Sequence, residues 1–302
     1  MTDTFRVHPR RPLPDPLARA PFTRRTALEA GVTPSRLRQP DIQRPFRGVR
    51  HPAGGVLSLE QRAMALQARL PNAWFCGPTA ALITGVPLPS RIERQRGLHV
   101  GVLHPARAPR GDGIHGHAFR RAEHRLWHGL RVSTPEQLWL QLASMLSVPD
   151  LVASGDYLVH QELPHTSIEA LADATAANEG ARGIAKCRAA LPLLSARSES
   201  ARESLLRVLL VTASLPGLEP NVWIVTTDGY RYRGDLVFRH AKMIVEYQGD
   251  HHRNPDEYRK DLTRISRLEA DDWYVMQVTA GDLDNPAELI ARIRRKLASR
   301  LA

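Results

Sequence analysis

Cysteine is nearly absent: the 302-residue chain has two, Cys76 and Cys187, and neither has a metal-type neighbour in sequence. That excludes a disulfide scaffold and argues for a reducing compartment. No apolar run approaches the length that crosses a bilayer, so no membrane partner is expected. The opening stretch MTDTFRVHPRRPLPDP lacks the apolar core of a signal peptide and reads as a disordered basic tail over 1–20. The expected location is the cytoplasm. Negative charge is also scarce at the front, where residues 1–50 carry eleven Arg against four acids.

What is present suits a globular protein of more than one domain. Hydrophobic residues make up 42% and charged residues 24%, which places the chain with ordinary soluble folds rather than disordered ones. The net charge is +11, concentrated at the front, while residues 199–302 balance sixteen basic against sixteen acidic side chains. An anionic partner is therefore sought at the N-terminal end.

In that region Thr23 can cap a short helix ending at Gly31, and Thr33 with Pro34 can start a second. Helix, glycine turn, helix is a helix-turn-helix layout, with Arg36 and Arg38 presented outward and a basic segment supplying a small β wing. Arg24, Arg25, Arg36, Arg38 and Arg47 are the candidate DNA contacts. The alternative is a small helical module that packs on the chain and touches no DNA. With Phe46, Arg47, Gly48 and Val49 following the helix pair, residues 21–56 resemble the winged-helix region of AbiEi-like type IV antitoxins. The resemblance continues through a mixed α/β middle domain, 57–194, to the stretch TPEQLWLQLA. Helices are expected over Leu59 to Leu70 and Gly77 to Gly85, and amphipathic ones over Thr166 to Ala190. His104, His115, His117, His124 and His128 invite a metal reading, but their spacing fits no zinc pattern, and surface positions are expected instead.

The most informative stretch is YRYRGDLVFRHAKMIVEYQGDHHR, Tyr230 to Arg253. Two β-like runs flank a polar turn at Arg239 to Ala241, and each run holds an acid, Asp235 or Glu246. Apolar strands seldom carry carboxylates without a reason. Glu246 and Gln248 leave one face of a strand, and a hairpin can bring Asp235 to them. Two carboxylates and an amide at one point suit a hard divalent cation such as Mg²⁺. A strand-edge pairing of Asp235 with Arg233 or Arg253 competes with this. Around the stretch, helical and strand periodicities give the order α-β-β-β-α-β-α over 195–302.

That order, with Glu203 in the first helix, Asp235 in the second strand and Glu246-Tyr247-Gln248 in the third, resembles a Vsr-like member of the PD-(D/E)xK restriction-endonuclease-like superfamily. Arg259 to Asp261 on the next helix is a further likeness. The resemblance implies an αβββαβα core, Mg²⁺ or Mn²⁺ held by Asp235, Glu246 and Glu203, and hydrolysis of DNA phosphodiesters. It implies site roles for Gln248, which stands where the family usually has Lys, and for His252 or His251 as a phosphate contact or proton donor. Glu199 could substitute for Glu203, and Glu203 could equally be a solvent-facing helix residue. The other reading is a non-catalytic DNA-binding regulator of the type IV antitoxin kind. A homodimer, or a partner protein from a neighbouring gene, is compatible with either.

Overall fold

The computed structural model describes residues 11–52, 56–248 and 255–302. The protein is of mixed α/β class and divides into two compact units, Met1–Gln141 and Leu142–Ala302. The expected boundary near 194 thus falls inside the second unit. Among the described residues no helix is long and apolar enough to cross a membrane.

The first unit opens with α1 (Asp15–Arg19), β1 (Phe22–Thr23) and α2 (Arg24–Glu29). Thr23 caps α2 as expected, accepting from the Thr26 N–H at 3.1 Å. The second helix of the expected pair does not form. Arg36–Arg38 is a single 3-10 turn. Pro34 and Pro40 bracket the segment, and the residue before Pro40, Gln39, is extended at ψ 149°, as steric contact with the proline ring requires. Leu17, Phe22, Ala27, Val32, Leu37 and Ile42 form a small core there. β2 (Val49–Arg50) pairs antiparallel with β1.

The larger part of this unit is a six-stranded sheet. Its elements run α3 (Leu59–Arg69), β3 (Trp74–Phe75), α4 (Gly77–Thr84), α5 (Ser90–Glu93), β4 (Leu98–Leu103), β5 (Arg110–Gly111), β6 (Ile114–Phe119), β7 (His124–Trp127), β8 (Leu130–Ser133) and α6 (Pro135–Ala143). Ser58 and Gln61 cap α3 reciprocally, and Gly85 stops α4 with φ at 78°, a conformation glycine adopts without steric cost. The order β5-β6-β4-β3-β8-β7 places β3 and β4 centrally, and Trp74, Phe75, Leu98 and Val100 are buried.

The second unit begins with α7 (Val148–Leu158), α8 (Ile168–Ala177), α9 (Ile184–Ala190) and α10 (Ala201–Thr212). It continues with β9 (Leu218–Val225), β10 (Arg231–Phe238), β11 (Met243–Tyr247), α11 (Pro255–Ala270), β12 (Tyr274–Val278), α12 (Ala280–Asp284) and α13 (Pro286–Leu301). From α10 onward the expected elements are all present, with the short α12 added. The sheet order is β12-β11-β10-β9; β9, β10 and β11 are antiparallel neighbours and β12 runs parallel to β11. Leu236, Phe238, Met243 and Val245 pack with Leu206, Leu289 and Ile293, while Val237 and Ile244 alternate into a second cluster with Ile224, Leu268 and Trp273. A sheet covered on both faces needs apolar residues of both parities, which is why VF and MIV read as continuous runs.

Helix α10 is clamped to α7 by a buried ion pair, Arg207 Nη2 to Asp156 Oδ2 at 2.6 Å. Asp156 also accepts from Ser204 Oγ at 2.7 Å and from the Ser195 N–H at 2.7 Å. This network ties residues on both sides of position 194 together, which accounts for the division falling earlier.

Candidate carboxylate site

Asp235 and Glu246 each adjoin the Leu236–Val245 pair, the last pair of the β10–β11 ladder. Both therefore sit where the two strands end their regular pairing. The Tyr247 backbone N–H donates to Asp235, but burial, then Glu203, then Glu246, push its carboxyl up to about 7. Each of these disfavours the charged form, burial by desolvation and the neighbours by repulsion. The Asp235–Arg233 pairing does not form; Arg233 Nη1 bonds Glu199 Oε1 at 2.7 Å instead.

Glu203 stands in the first turn of α10. Its carboxylate accepts from Ser200 Oγ at 2.9 Å and from the Glu199 N–H at 3.0 Å, and the Ser200 hydroxyl caps the helix by accepting from the Glu203 N–H at 3.1 Å. Burial raises its pKa in spite of those bonds. Glu203 is thus a helix-capping carboxylate that also lies in electrostatic reach of Asp235.

Glu246 is 4% exposed and is held by α11. Arg264 Nη1 reaches Glu246 Oε2 at 3.0 Å, Arg264 Nη2 reaches Asp261 Oδ1 at 2.5 Å, and the Tyr232 hydroxyl donates to Glu246. The guanidinium also lies over the Tyr232 ring, 4.6 Å from its centroid. Arg264 is not among the expected site residues. Its one signal in the sequence is its place three residues after Asp261, on the side of α11 that meets the strand acids. Tyr232 is half-buried and bonded to Glu246. Gln248 extends the ladder, its N–H donating to the Val278 carbonyl at 2.6 Å. His252 and His251 lie outside the described residues. Among the described residues no group of three or more His, Cys, Asp or Glu side chains is gathered in a metal-holding set.

No family model matches the chain. Two curated proteins of Mycobacterium tuberculosis, uncharacterized protein MT2308 (strain CDC 1551 / Oshkosh) and uncharacterized protein Rv2248 (strain ATCC 25618 / H37Rv), are each 29% identical to it over 172 residues. The match takes in 56% of this chain and 62% of theirs, so the chain spans less than two thirds of these relatives. The crystal structure of the RV2827C protein from M. tuberculosis aligns with 70% of this chain and 82% of its own, at 19% identity and a TM-score of 0.41.

Of the N-terminal arginines, Arg24, Arg25, Arg38 and Arg47 are exposed, Arg25 lying 3.7 Å from Glu29. Arg36 departs from expectation. It is turned back onto Asp41 through two bonds of 2.9 and 2.8 Å, with Nε donating to the Arg11 carbonyl at 2.6 Å. Such a fork-to-carboxylate pair satisfies the guanidinium internally.

Among the histidines, His104, His115, His124 and His128 are exposed as expected, but His117 is half-buried. Its Nε2 lies 3.1 Å from Nδ1 of His99, a buried residue outside the expected cluster. Burial, with His115 and His117 nearby, pushes His99 down to about 4. Both cysteines are buried and free, and burial raises both thiols, so neither is poised as a nucleophile.

Proposed function

We propose that the second unit is a metal-dependent nuclease-like module of the PD-(D/E)xK kind, hydrolysing DNA phosphodiesters. The exposed N-terminal arginines, in an AbiEi-like winged-helix region, would bring it to DNA. The observation that carries this reading is Asp235, whose carboxyl is raised to about 7 beside Glu203 and Glu246. Mutually repelling carboxylates at the end of a buried strand pair are a cost to the fold that a divalent cation relieves. Asp235 and Glu246 would hold the ion and Glu203 would complete the acidic side. When bound, such an ion polarises a phosphoryl oxygen and stabilises developing charge.

The chain's own groups have distinct parts. The Gln248 amide can donate and accept hydrogen bonds and so orient a nucleophile, but it takes no proton near neutral pH. Asp235, raised to about 7 without an ion, would give up its proton to bind one. Tyr232 and Arg264 fix the orientation of Glu246.

A second reading rests on those same contacts. Glu246 is already neutralised by Arg264, and Gln248 occupies the position where the family usually has Lys. Both favour a non-catalytic DNA-binding regulator that uses the fold as a platform. Plasmid incubation with Mg²⁺ or Mn²⁺, with Asp235→Ala and Glu246→Ala beside the natural chain, separates the two. Metal-dependent cleavage that disappears in both variants supports the enzyme. DNA binding without cleavage under any metal sinks it in favour of the regulator.

A further inference from the structure

Beside the carboxylates, the second unit carries a cleft of about 410 Å³ lined by Tyr230, Arg259, Lys260, Thr263, Arg264 and Arg267. Among the described residues its lining holds four cationic side chains, a hydroxyl and a phenol. Lys260, Thr263, Arg264 and Arg267 follow helical spacing and so share one face of α11. The Arg267 guanidinium lies over the Tyr230 ring, 4.9 Å from its centroid. Lys260 is exposed. Lys260 and Arg267 stand one turn to either side of Arg264, so the face presents cations to an anion at both ends even with Arg264 held by Glu246 and Asp261.

The length of the row selects the kind of anion. Lys260 and Arg267 are separated by roughly 10 Å along the helix axis at 1.5 Å per residue. Consecutive phosphodiesters match that spacing, and guanidinium forks suit them. Arg264 is the shared member: it lines the cleft and also holds Glu246 at 3.0 Å.

We propose that this cleft seats the sugar–phosphate backbone of a nucleic acid strand, and that a seated phosphate competes for Arg264 and releases Glu246 toward Asp235 and Glu203. The first half stands on the cleft alone; the second rests on the nuclease-like reading. By linkage, backbone and divalent cation then raise each other's affinity.

The test of the first half is fluorescence anisotropy with a short labelled DNA duplex in EDTA, where metal chemistry plays no part. Lys260→Glu with Arg267→Glu weakens binding at least about tenfold and lowers the salt slope by about two. Arg295→Glu, in a separate basic cleft lined by Tyr274, Arg292, Arg295 and Lys296 among others, changes it less than about twofold. Lys260→Gln and Arg267→Gln, each judged folded by circular dichroism, show the same direction singly. Equal weakening in Arg295→Glu, no weakening in the double variant, or displacement of the duplex by polyglutamate at equal charge concentration overturns the cleft. For the second half, Mn²⁺ is titrated into the natural chain and into folded Arg264→Gln without DNA. Tighter Mn²⁺ binding by the variant supports the release of Glu246; unchanged affinity overturns it. Absence of Mn²⁺ binding in every protein overturns the coupling and the nuclease reading together, leaving the EDTA result intact.

Discussion

At the scale of single residues, the carboxylate cluster makes signed demands on stability. Asp235 has its folded pKa raised to about 7 from an ordinary 3.8. The folded state therefore holds a proton that the unfolded state has released between those values, and stability falls as pH rises through the window. Asp235→Asn removes this penalty. The variant should melt higher than the natural chain at pH 8, by at least about 1 kcal/mol after allowing for residual solvent access, and by less at pH 5. A calorimetric melt at the two pH values checks it. Glu246 depends on its ion pair with Arg264. Arg264→Ala would strand a buried carboxylate, and urea unfolding should show a loss of about 3 kcal/mol. His99 works through desolvation. Its folded pKa of about 4 lies below an ordinary 6.5, so stability is complete above 6.5 and is lost as pH falls toward 4. His99→Leu should flatten that part of the pH–stability curve.

At the scale of elements, periodicity and punctuation make the part of the second unit from α10 onward legible in the sequence. Asp228-Gly229 marks a hairpin turn, and Gly229 has φ at 80°. Alternation and apolar runs mark the strands, and Pro255 and Pro286 begin helices. Elements set by distant partners are not legible. α7 does not announce itself although Ser147 caps it, because the partner of its buried Asp156, Arg207, lies far along the chain. The second N-terminal helix is suggested by Thr33 and Pro34 at its start, and Pro40, which holds Gln39 extended, leaves room for only a single turn. The Arg264–Glu246–Tyr232 contact leaves only the Asp261-to-Arg264 spacing as a local trace, since the sequence does not say which of the α11 charges faces the sheet. The α7–α10 clamp can be checked directly. Asp156→Ala and Arg207→Ala should each cost about 3 to 5 kcal/mol, and the double variant should cost less than the two together, as measured by chemical denaturation.

At the scale of the whole molecule, charge is partitioned. The net +11 is mostly N-terminal, while residues 199–302 are neutral overall, so the basic row on α11 is a local arrangement that composition alone conceals. Reversing Arg24, Arg25, Arg38 and Arg47 together should weaken DNA binding and reduce its salt slope by about four, one for each cation withdrawn from the phosphate backbone. Arg36 is left out because Asp41 already neutralises it. Charge reversal is preferable to deleting the segment, since Phe22, Ala27 and Leu37 form part of a buried cluster.

The parallel pairing of β11 with β12 has a kinetic consequence. β9, β10 and β11 follow one another through short turns, so their contacts are close in sequence and cheap to close. β12 can join only after α11 has carried the chain back across the sheet, and loop closure of that length is slow relative to hairpin formation. The order of assembly is therefore written into the topology: amide protection in β9 to β11 should develop before protection in β12 during refolding. Since Gln248 bonds to Val278, the end of the sheet that holds Asp235 and Glu246 is completed in the last step.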